Sequence, residues 1–247
     1  VGNPPQLQTL RILREEHEGD EAATLLFLEE ARRVTTLRNK GFLEVLQKNL
    51  QTPRPWYLTE SIEVESLADV VERGESLDDE AACALAEQLI EAFQHLADRR
   101  QVYLDPRPGN LLRHGQAWKL RTFRAIAAAD EVKQLARRKI VDPGFAPPER
   151  WPGQTKRPRA ASFATWALGA LTRFALGGGP PMTEEGQAAP LARPLSEEWR
   201  TCFERLLAAD PERRPLGPAA LRRCLPVLCG DSRAPAAAAP VPKRKRR

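Results

Sequence analysis

From Ser76 to Leu120 the chain leaves little freedom of fold. Ser76-Leu-Asp-Asp79 is a capping-box pattern, and behind it Ala82, Leu85, Ala86, Leu89, Phe93 and Leu96 recur at helical spacing. One long helix packed along that stripe is expected, ending at Asp98-Arg-Arg. Directly after it comes Val102-Tyr-Leu-Asp-Pro-Arg-Pro-Gly-Asn110. Leu111-Leu112 and Trp118 to Leu120, with His114-Gly115 between them, read as two very short strands joined by a turn. Asp105 to Asn110 is thus expected in a loop between a helix and a hairpin, where rigid neighbours hold functional side chains.

The preceding residues have a different character. Leu7 to Leu13 alternates as a strand, with Leu7, Arg11 and Leu13 on one face. Asp20 is placed to cap a helix over 21–38, whose Leu25, Leu28, Ala31, Val34 and Leu37 form an apolar stripe. Glu30 lies beside that stripe and is a candidate partner for Arg11. Phe42 to Leu46 and Trp56 to Ile62 read as two further strands around a Thr-Pro-Arg-Pro turn. A small sheet carrying one helix follows.

Beyond the hairpin the pattern is mostly helical. Ser162 is the expected cap of a helix through Phe163, Trp166, Ala167, Ala170, Leu171 and Phe174, stopping at Gly177-Gly-Gly179. Ser196 opens another, and Pro218 opens the last, carrying Leu221, Leu225 and Leu228. The Ala/Pro stretch from Asp231 cannot build a core and is expected to be disordered.

The net charge of +5 suggests nucleic-acid binding until it is located. All of it sits in 231–247; residues 1–230 hold 32 basic and 32 acidic side chains, so the folded part is neutral. Only the tail run Lys243-Arg-Lys-Arg-Arg247 offers a contact to phosphates or an acidic partner. No apolar run approaches the ~20 residues of a membrane span. Cys83, Cys202, Cys224 and Cys229 show no metal-binding spacing. Free buried thiols, suited to a reducing cytoplasm, are the expectation.

Within the loop, an aspartate, a basic residue two on and an asparagine five on match the spacing of base, charge neutraliser and metal ligand in a phosphoryl-transfer loop. Taken with the order of elements, this resembles a protein kinase domain of the Ser/Thr type, bacterial in flavour, from about Leu7 to Leu228. Val102 to Leu112 resembles the catalytic loop V-H-R-D-L-K-P-x-N. Lys119-Leu-Arg-Thr-Phe-Arg resembles the magnesium loop K-L-x-D-F-G, and Pro143-Gly-Phe-Ala-Pro-Pro-Glu149 resembles P-x-Y-x-A-P-E. Ala164-Thr-Trp-Ala-Leu-Gly169 resembles D-V-W-S-L-G, and Asp210-Pro-Glu-Arg-Arg-Pro215 resembles D-P-x-x-R-P. The fold implied is α+β and two-lobed, with a small β-rich lobe over 1–63, a helical lobe over 64–230 and a tail over 231–247.

By that resemblance Asp105 falls on the catalytic base, Arg107 on a lysine facing the γ-phosphate and Asn110 on a metal ligand. Arg11 and Glu30 fall on the ATP-site lysine and its helix glutamate. Glu149 and Arg214 fall on a buried salt bridge, and Val34, Tyr103 and Phe123 on a hydrophobic column linking the lobes. Several charged positions are lost. Thr122 replaces the magnesium aspartate with a weak neutral ligand, Arg124 replaces a glycine, and Arg11 places its charge differently from a lysine. Leu104 replaces the arginine that answers activation-loop phosphorylation, and Ala164 the aspartate that ties down the catalytic loop. Asp142 stands where the family has a threonine, and 122–149 holds no serine or tyrosine.

The glycine-rich hairpin over ATP would precede Arg11, and Gly2-Asn-Pro-Pro cannot form it. Either further sequence precedes Val1 or the nucleotide site has no roof. The expectation is a pseudokinase, a regulatory or scaffolding module that engages another protein. The alternatives are an atypical active kinase or a metal-independent ATP-binding module; no cofactor is expected, and ATP with or without magnesium is the one those alternatives would take.

Overall fold

In a computed structural model the chain is described over residues 8–60, 65–115, 117–121, 125–132, 142–151 and 159–227. The expectations for Leu7, Ile62, Thr122, Phe123, Arg124, Leu228, Cys229 and 231–247 lie outside the described residues.

The first part is a three-stranded antiparallel sheet with one helix on it. β1 (Gln8–Ile12), β2 (Val45–Asn49) and β3 (Trp56–Glu60) lie in the order β1-β3-β2, with Arg11 opposite Tyr57 and Val45 opposite Thr59. α1 (Glu21–Thr35) begins where Asp20 accepts the Ala23 N–H at 3.0 Å. It packs through Ala31 and Val34 onto Tyr57, with Phe27, Val45 and Leu50 around them. Leu25, expected in the stripe, is exposed.

The expected strand at 42–46 begins three residues later. Phe42 leaves the sheet for the main core, where it bridges Leu120. Gly41 permits this approach, because a Cβ there would come within 2.9 Å of the Ala92 Cβ. The β2–β3 register then shifts between Val45 and Gln47, leaving Leu46 exposed.

α2 (Leu67–Glu72) is opened by a reciprocal capping box between Ser66 and Asp69. α3 (Asp79–Ala97) buries the whole predicted stripe, but its cap is Asp78, whose carboxylate accepts the Ala81 N–H at 2.8 Å. Ser76 lies a residue pair too early to reach the first turn and instead accepts from Arg193. β4 (Gln101–Tyr103) pairs antiparallel with β7 (Ile126–Ala128), and β5 (Leu111–His114) with β6 (Ala117–Leu120). The β5–β6 hairpin is tied to the first sheet by Lys119 to Glu60 and by Leu120 N–H to Gly41 C=O at 2.7 Å. Toward α2 it is tied by Arg113 to Glu65 at 3.0 Å.

α4 (Ala160–Ala175) crosses α3 and is buried along most of its length. Ser162, expected as its cap, lies inside the helix and donates to Arg159 C=O, because the helix starts two residues earlier. Arg173 is buried and donates to the carbonyls of Gly178, Ala189 and Pro190, which fastens the following loop to α4. α5 (Glu197–Leu206) is capped by Ser196 as expected, and α6 (Pro218–Arg222) follows Gly217. Cys202 and Cys224 are free, whereas Cys83 on α3 is disulfide-bonded, which corrects the free-thiol expectation for that residue. The architecture is mixed α+β, and none of the described helices is long and apolar enough to cross a membrane.

Candidate functional site

The loop after β4 is held by its own backbone before any side chain acts. Leu104 N–H donates to Ala125 C=O at 2.7 Å, continuing the β4–β7 pairing by one residue. Tyr103 is buried against Phe93 and donates its hydroxyl to Arg121 C=O at 3.0 Å. Arg121 N–H in turn donates to Asn110 C=O at 2.8 Å. Pro106 and Pro108 keep the residues before them extended, and Pro108–Asn110 then closes as a single tight turn.

This brings Asp105, Arg107 and Asn110 together as expected, but in a closed arrangement. Arg107 forks onto Asp105, Nε to Oδ1 at 2.6 Å and NH2 to Oδ2 at 2.5 Å. Both carboxylate oxygens therefore carry a charge-assisted hydrogen bond, the strong bidentate form. Buried Asn110 donates its Nδ2 back to Asp105 C=O at 3.3 Å. Among the described residues, no three His, Cys, Asp or Glu side chains converge as metal ligands. A magnesium ion asks for an octahedral set of oxygens. Of the described groups at this loop, Asp105 is committed to Arg107, whereas the Asn110 bond runs through Nδ2 and does not use Oδ1, the atom an asparagine offers to a metal.

Asp142 completes the cluster. It accepts the Gly144 N–H at 3.1 Å, and partial burial raises its carboxyl above the usual range. Asp105 adds to that rise, while Gly144 and Arg107 oppose it. A carboxyl raised on folding is most favourable when protonated, below the ordinary aspartate value, and its charge counts against the fold as pH rises. Asp142→Asn keeps an acceptor for Gly144 and removes the charge. The expected outcome is a higher Tm than the parent at pH 7, with the difference vanishing as pH falls below the ordinary aspartate range, measured by thermal unfolding across pH.

Arg11 and Glu30 lie on the first sheet and its helix. Tyr57, which sequence reasoning did not single out, donates its hydroxyl to Glu30 Oε1 at 3.0 Å. Burial pushes the phenol well up; the Glu30 charge and hydrogen bond add to this, and Arg11 opposes it. Glu30 thus meets the Tyr57 hydroxyl directly, and Arg11 lies opposite Tyr57 across the β1–β3 pair. Strand pairing offered a signal, because a tyrosine opposite Arg11 on a face that meets α1 must satisfy its hydroxyl there.

Glu149 and Arg214 make the buried salt bridge expected of them. NH1 to Oε1 and NH2 to Oε2 are both 2.7 Å, and both side chains are fully excluded from solvent. Arg214 also donates to Ala208 C=O and Ser162 C=O, and lies 4.9 Å from the Trp166 ring centre. Trp166 donates its Nε1 to Phe145 C=O at 2.9 Å, so the 143–150 segment is pinned to α4. Val34 and Tyr103 are both buried but in separate clusters, Val34 with Ala31 and Tyr57 and Tyr103 in the main core. Leu104 and Ala164, both half-buried, pack against apolar clusters. Neither the known family models nor the curated proteins compared with this chain match it.

Proposed function

We propose that this chain has a protein-kinase-like fold that works as a regulatory or scaffolding protein-interaction module, with phosphoryl transfer lost or strongly impaired. The observation that carries the reading is the fork of Arg107 on both oxygens of Asp105. The fork takes a lone pair on each carboxylate oxygen and so competes with an incoming hydroxyl for the carboxylate. The Glu149–Arg214 bridge supports the same reading, a bracing feature kept while the charge-handling positions are lost. On this reading residues 1–63 are the small lobe and 64–230 the helical lobe.

The test is a thermal-shift titration of the full chain with ATP, with and without Mg²⁺ or Mn²⁺. A ligand that binds only the folded state stabilises it by RT ln(1 + [L]/Kd), about 2.7 kcal/mol at a hundredfold excess over Kd. No metal-dependent rise in Tm is expected. A metal-dependent rise that disappears in Asn110→Ala would sink the proposal in favour of an atypical kinase. A metal-independent rise abolished by Arg11→Ala would replace it with a nucleotide-binding module.

A further inference from the structure

α3 ends where folding alone asks for glycine. Its last turn tightens through Arg99 N–H to Leu96 C=O at 3.0 Å and Arg100 N–H to Ala97 C=O at 2.9 Å. The chain then swings into β4 with φ +53° at Arg100, the only described residue other than glycine with positive φ. Glycine, and next asparagine, fill such a helix-ending position with least strain. Arg100 is exposed, so no packing offsets the strain of a Cβ in that region. Strain retained at one residue directs attention to what its side chain does.

Two more exposed arginines, Arg99 and Arg38, approach the His95 ring just before it. Arg99 donates to His95 C=O at 3.1 Å and lies 3.3 Å from the ring Nδ1, while exposed Arg38 brings its backbone N–H within 3.4 Å of Nε2 on the same ring. His95 itself is held below the usual histidine range by burial and then by Arg99, so at neutral pH the ring adds no charge. Nearby Lys40 meets Glu91 at 3.5 Å, and Asp98, hydrogen-bonded by the neutral Gln94 amide, keeps one negative charge at the edge of the patch. Cations at the C-terminal end of a helix complement its dipole, which accounts for Arg99. That accounts neither for Arg38 nor for a strained arginine at 100. Residues 1–230 carry equal numbers of acids and bases, so the cluster is a segregation of charge and not an overall excess.

We propose that Arg38, Arg99 and Arg100 form a docking surface for an acidic peptide segment of a partner protein. Nucleic acid fits less well, because single strands need aromatic platforms for their bases and the large apolar side chains exposed among the described residues are all aliphatic. The proposal names a partner class for the interaction module above and rests on that reading only in this respect. The surface lies at the other end of β4 from Asp105, so its failure leaves the reading of that loop standing.

The experiment is fluorescence anisotropy of a fluorescein-labelled poly-glutamate peptide with the full chain at low salt. It compares the parent, Arg100→Gly, the double variant Arg38→Ser/Arg99→Ser, and Arg14→Ser as an exposed arginine elsewhere. The basic tail contributes equally to all four. Affinity is expected to fall about threefold in Arg100→Gly and about tenfold in the double variant, the scale of screened exposed ion pairs, with no change in Arg14→Ser. Arg100→Gly is also expected to raise Tm, a combination of gain and loss that a merely structural arginine would not produce. The proposal is overturned if the parent does not bind, if affinity is unchanged in the two variants, or if Arg100→Gly lowers Tm. Tighter binding of single-stranded DNA through the same arginines overturns the peptide assignment.

Discussion

Arg214→Met is expected to destabilise the protein by about 3–5 kcal/mol, because it leaves the Glu149 carboxylate buried without its partner. Both side chains are fully excluded from solvent, and the arginine also satisfies two main-chain carbonyls that the variant would orphan. For a chain of this size that loss corresponds to a Tm lower by roughly 6–20 °C. Chemical unfolding is the direct measurement, and a midpoint within error of the parent would refute the assignment. The double variant Glu149→Leu/Arg214→Met separates charge from packing. Removing both members abolishes the uncompensated charge, so it should recover a large part of the loss. The effect should be global, since Trp166 joins the bridge to the segment ending at Phe145 and α4 runs through the main core.

How far such features could be read beforehand differs from one residue to the next, for physical reasons. The α3 stripe was legible because nothing competes with a helical period that long. Asp20 and Ser196 were legible as caps because each stands directly before the apolar pattern it opens. Ser76 and Ser162 misled for one reason: a serine near a helix start has several backbone partners within reach, and only the final register decides among them. Ser66 with Asp69 was a readable capping box, hidden by the shortness of the helix it opens. Phe42 could not be placed from its neighbours, because the pull that takes it from the sheet comes from α3 fifty residues away.

The Asp105–Arg107 fork was available in principle. Each residue precedes a proline, which biases both toward extended backbone, and in extended chain side chains two apart point the same way. An opposite-charge pair at that spacing is positioned to meet. Family spacing directed attention instead to each residue's separate part in catalysis. Buried Arg173 is the opposite case, since its partners are the main-chain carbonyls of a loop, and no side-chain pattern announces those.

The fork also supplies the second large effect. Arg107→Ala is expected to cost about 2 kcal/mol, the scale of charge-assisted hydrogen bonds to a mostly buried carboxylate. Asp105, about one-fifth exposed in the intact pair, loses its partner, and the cation that offsets its repulsion of Asp142 is gone. Because two carboxylates then face each other, the deficit should shrink as pH falls through the carboxyl range and both become neutral. Asp105→Asn/Arg107→Ala removes one of the charges and should be more stable at pH 7 than Arg107→Ala alone. This cycle bears on function as well as on stability. If the pair is scaffold, breaking it changes unfolding and leaves the response to ATP and Mg²⁺ as flat as in the parent. If Asp105 is a competent base that Arg107 only masks, freeing it should bring measurable phosphoryl transfer. A destabilised Arg107→Ala that transfers phosphate from ATP to a protein substrate would make the fork an autoinhibitory contact, and the loop an active site held shut.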